Sequence, residues 1–117
     1  MPKYEIKLRG TLVVDEQDNG KVDPTLIFEA AFDNTMREML KLKELQDPSV
    51  SGALASGEIV LAATVIAKLA GEALGIADVA MRTALHAAGV GTRDWDNVPP
   101  SVRLECVKYA TEELVDA

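Results

Sequence analysis

Read from its first residues, the chain alternates. In "YEIKLRGTLVV" the apolar Tyr4, Ile6, Leu8, Leu12 and Val14 are separated by Glu5, Lys7, Arg9 and Thr11. A period of two belongs to a strand with one buried and one wet face. Such one-sided alternation favours an antiparallel sheet. "DEQDNGKVD" then breaks the pattern, most sharply at Asn19-Gly20. In "DPTLIFEAAFDNTMREMLKLKEL", Phe28, Phe32, Met36, Met39 and Leu42 recur at spacings of three and four, with Glu29, Asp33, Arg37 and Lys41 between them. This predicts a helix with one core face, capped by Asp23, opened by Pro24 and closed by Asp47-Pro48.

"SGALASGEIVLAATVIAKLAGEAL" contains hardly any polar side chains. A single helix from Ser51 to Ala88 would far exceed the usual globular length of roughly 8 to 20 residues. It would also carry Gly52, Gly57, Gly71 and Gly75, each costing about 1 kcal/mol against Ala. Ile59, Val60, Thr64, Val65 and Ile66 are β-branched and suit strands. The reading is therefore a strand over Val50–Ala55, a turn at Ser56-Gly57-Glu58 and a central strand over Ile59–Ala67. A helix over Leu69–Ala88 follows, with Leu74, Ala77, Met81, Ala84, Leu85 and Ala88 on one face and Gly89 as its C-cap. No capping residue opens this helix, and Gly71 and Gly75 are expected to let it sit close on its neighbour. "SVRLECVKYATEEL" fits either a strand or a helix, and the strand reading over Val102–Ala110 is preferred.

The order β-α-β-β-α-β with right-handed crossovers implies an α+β fold, a two-layer ferredoxin-like βαββαβ arrangement. Its antiparallel sheet would run 4-1-3-2, with both helices on one face. All 117 residues fit a single domain, 1–117.

Composition narrows the function classes. Nearly half the residues are apolar, but only two Phe, two Tyr and one Trp contribute, so the core is aliphatic. Twelve basic and 19 acidic residues give a net charge of −7. No cationic stripe is present for a nucleic-acid backbone, so no nucleic acid is expected as a partner. The run Ile59–Ala67 is too short for a membrane span of about 20 residues, and "MPKYEIKLRG" lacks the apolar stretch of a signal peptide. The single cysteine, Cys106, suits a reducing compartment. A cytoplasmic protein without membrane contact is expected.

"DPSVSGALASGEIVLAATVIA", then "MRTALHAAG", a Trp soon after and a terminal "ELVDA" resemble small uncharacterised α/β proteins of actinobacteria and their phages. The resemblance covers roughly the last two thirds of the chain. It implies no activity and no site residues.

Candidate chemistry is sparse. "DEQDNGKVD" matches a calcium loop at Asp15, Asn19 and Gly20, but Gln17 does not match its third position and Leu26 stands where the bidentate acid belongs. Asp94 and Asp96 flank Trp95; they suit turn caps better than a cation site. His86, the only histidine, falls in the last turn of a helix, where the dipole favours a cation. Cys106 alternates with Val102 and Leu104 and reads as a small buried hydrophobe. No catalytic, cofactor-binding or metal-ligating residue is therefore assigned. The preferred reading is a non-enzymatic protein-interaction module that forms a homo-oligomer or binds a protein partner. The alternatives are a phage accessory protein that binds a host factor, or a small-molecule or metal-binding domain or small enzyme around His86, Asp94 and Asp96. The interface candidates are Val60, Ala62, Thr64, Ile66, Val107 and Tyr109, read as one apolar patch with Val13 on the open face of the sheet, and Trp95.

Overall fold

The alternating N-terminal segment forms β1 (Lys3–Val14); of the apolar residues read from the pattern, Tyr4, Ile6, Leu8 and Leu12 are buried, with Gly10 between them, and Val14 is half-buried. The computed structural model describes residues 1–14, 24–92 and 102–114. After β1 come α1 (Pro24–Leu40), β2 (Gln46–Ala53), β3 (Glu58–Ile66), α2 (Ala70–Ala87), β4 (Val90–Gly91) and β5 (Val102–Leu114). The fold is α+β. The predicted cap Asp23 and the calcium-like loop lie outside the described residues.

Among the described residues the sheet has five strands, in the order β2-β3-β1-β5-β4. The neighbours expected for the long strands are those observed, with β1 between β3 and β5 and antiparallel to both. The short β4 was not foreseen. It pairs parallel to β5, so the sheet is mixed, which corrects the expectation of a wholly antiparallel sheet.

Boundaries moved where local bonds compete with the apolar pattern. α1 stops at Leu40 because Lys41 N–H and Leu42 N–H donate to the carbonyls of Glu38 and Met39, three residues back, a tightening common at helix ends. β2 begins before Asp47-Pro48 and not after it. Pro48 is tolerated because β2 is an edge strand, and its register slips between Gln46 and Ser49.

One aliphatic core joins the inner face of β1 and β3 to both helices. Ile6, Leu8, Ile59, Leu61, Met81 and Leu85 are fully enclosed, each worth about 1.5–3 kcal/mol of burial. α2 meets this face through Ala73, Ala77, Ala80 and Ala84. Gly71 and Gly75 point away, since a Cβ on either would meet nothing within 4 Å. The close approach therefore belongs to the alanines, not to the glycines. Leu69 stands at the N-cap of α2 without a side-chain bond, as the lack of a capping residue predicted. Gly57 is fixed more tightly. It turns the β2–β3 hairpin at φ 78°, donates to Ala53 O and accepts from Leu12 N–H. A Cβ there would stand 2.7 Å from Leu12 O.

Candidate functional site

β5 decides where the polar groups lie. Arg9 faces Lys108 and Thr11 faces Glu105, so Gly10 alone opposes Cys106 and Val107. This is a β-bulge. Cys106 carries it in the left-handed region at φ 56°. Gly10 is closely packed opposite it: a Cβ there would lie 2.7 Å from Leu104 Cδ1 and 3.0 Å from the Glu105 carbonyl oxygen. The extra residue reverses the alternation. Val102 and Leu104 are buried before the bulge, and Tyr109, of opposite parity, turns to the same side after it.

Tyr109 is thus corrected from the open face to the helix face. Its hydroxyl donates to Asp78 Oδ1 on α2. Arg82 Nε reaches the same oxygen at 3.0 Å from the next turn of α2. Burial, and then the bond to Asp78, push the phenol up from 10.0 to about 12. Burial opposes the Arg82 charge, yet the bond with Tyr109 and the Asp78 carboxylate leave its pKa raised. A phenol held protonated in this way is no base or nucleophile near neutral pH. The cluster instead fastens β5 to α2. Further along α2, His86 Nε2 lies 2.9 Å from Thr92 Oγ1. Sequence reading missed the cluster: Asp78 and Arg82 are a legible helical pair at four, but Tyr109 joins them only through the bulge.

Cys106 is exposed, not buried as the alternation suggested. Among the described residues no group of three His, Cys, Asp or Glu could hold a metal ion. Asp94, Trp95 and Asp96 lie outside the described residues. No helix among the described residues is long and apolar enough to cross a membrane.

The open face of the sheet keeps Val60, Ala62, Thr64 and Ile66, the last 37% exposed. They form a strip one strand wide. Ser49 and Ser51 flank it from β2, and Lys7 and Arg9 from β1. Val107 is exposed beside the bulge. With Tyr109 on the other face, the broad apolar patch expected there shrinks to this strip. An open groove of about 450 Å³ near the end of α1 is lined by Leu42, Ile76, Val79 and Thr83.

Among the described residues, β4 is the strand that lies outside β5. β4 pairs only with Val102 and Arg103. Among the described residues, nothing pairs with the outer edge from Leu104 to Leu114. No family model matches the chain, and no curated protein or solved structure matches it.

Proposed function

We propose that the chain is a non-enzymatic protein-interaction module whose recognition surface is the outer edge of β5. One observation carries the reading: the long strand edge beyond β4 that has no partner among the described residues. Such an edge presents main-chain donors and acceptors to any extended segment, which can add as a further strand. Tyr109 supports it, because its bond to Asp78 anchors the strand that must receive the partner. The strand order β2-β3-β1-β5 with two helices favours a ferredoxin-like core extended by β4. A free cysteine fits a cytoplasmic setting.

The test is selection of extended peptides from a random display library, followed by amide hydrogen exchange on the bound complex. Binders are expected to slow exchange in β5 between Leu104 and Leu114. Binders that protect only the α1–α2 groove, or a selection that yields none protecting β5, would overturn the reading.

A further inference from the structure

We infer that β5 pairs with β5 of a second copy, antiparallel about a twofold axis at Ala110, so that two sheets become one. The inference rests on reading the β5 edge as the recognition surface and names its occupant. The charge pattern of β5 argues for it. Within the chain Lys108 faces Arg9, and Glu112 faces Glu5. Directly opposed like charges destabilise a strand pair. Glu5 has Lys7 at 3.6 Å, but among the described residues neither Lys108 nor Glu112 makes an ion pair. Alone, the strand is mismatched to its neighbour at both positions.

A second copy reverses both mismatches. An axis at Ala110 sets Lys108 opposite Glu112 of the second copy, and the reverse. The small Ala110 meets its own copy at the axis, and Tyr109 meets Thr111 on the helix face. Twofold symmetry allows only axes that pass through a residue, because opposed side chains must share a face. Moving the axis by one residue sets Lys108 or Glu112 against Ala110. Moving it by two sets lysine on lysine or glutamate on glutamate. Among these registers, the one at Ala110 satisfies both charges. Association ends at two copies, because Pro48 and the slipped register block the β2 edge against a further strand.

The experiment is sedimentation equilibrium on the full chain at low salt, comparing wild type, Lys108→Glu, Glu112→Lys and the double exchange. Wild type is expected to dimerise with concentration. Each single exchange sets like charges across the axis and raises the dissociation constant about tenfold or more. The double exchange restores the wild-type value. Lys108→Glu also places an acid opposite Arg9 in its own chain, so its melting temperature in dilute solution stays level or rises, which separates lost pairing from lost folding. A wild type monomeric at every concentration, or a double exchange no more dimeric than the singles, overturns the inference. Peptide selection on such a monomer still judges the edge itself.

Discussion

Thr35 sits fully buried on α1, and its hydroxyl has no hydrogen-bond partner among the described residues. An unsatisfied buried hydroxyl costs about 1–3 kcal/mol. Thr35→Val keeps the shape and removes the stranded group, so it is expected to stabilise the fold by about 1 kcal/mol. Urea unfolding measures this. A loss of stability in the valine variant would show that the hydroxyl is bonded in solution, to a buried water for example. Cys106 is the converse case. A non-glycine residue in the left-handed region is uncommon, yet here it carries the bulge that sets the phase of half a strand.

At the scale of elements, β5 is held to α2 by a bond that titrates. The Tyr109 phenol ionises at about 12 when folded, against 10.0 unperturbed. The folded state therefore holds this proton more tightly. Its contribution to stability is complete below pH 10 and is lost as pH rises through 12. Tyr109→Phe should melt below wild type at neutral pH, and the gap should narrow between pH 10 and 12. A gap that stays constant across that range would mean the phenol is not bound as described. The same strand shows how far the sequence could be read. β1 and β3 follow from it because their alternation is unbroken and one face is buried. β5 begins in the expected phase, then shifts at Cys106, where no glycine marks the bulge. Unbroken alternation therefore puts Tyr109 on the wrong face and hides its bond to Asp78. β4, at two residues, is too short to leave a period. The end of α1 was overrun because Leu42 and Leu45 continue the apolar spacing after the helical bonds have stopped.

For the whole molecule, the contrast between the two sheet edges matters most. β2 ends the sheet with a proline and a slipped register, features that discourage further pairing. β5 ends it with a 13-residue strand that β4 covers only at its start. Bulges and charged side chains are also ways of protecting an edge. What distinguishes β5 is that its charges conflict with β1 and match a second β5. The open sheet face offers less, since its apolar strip lies between serines and charged residues. Amide hydrogen exchange of the wild-type chain, in dilute and in concentrated solution, tests this account most directly. Amides between Val107 and Glu113 that point outward should exchange more slowly as concentration rises, while those of β2 do not change. Equal exchange in β5 at both concentrations would contradict the account, as would protection that appears at the β2 edge instead.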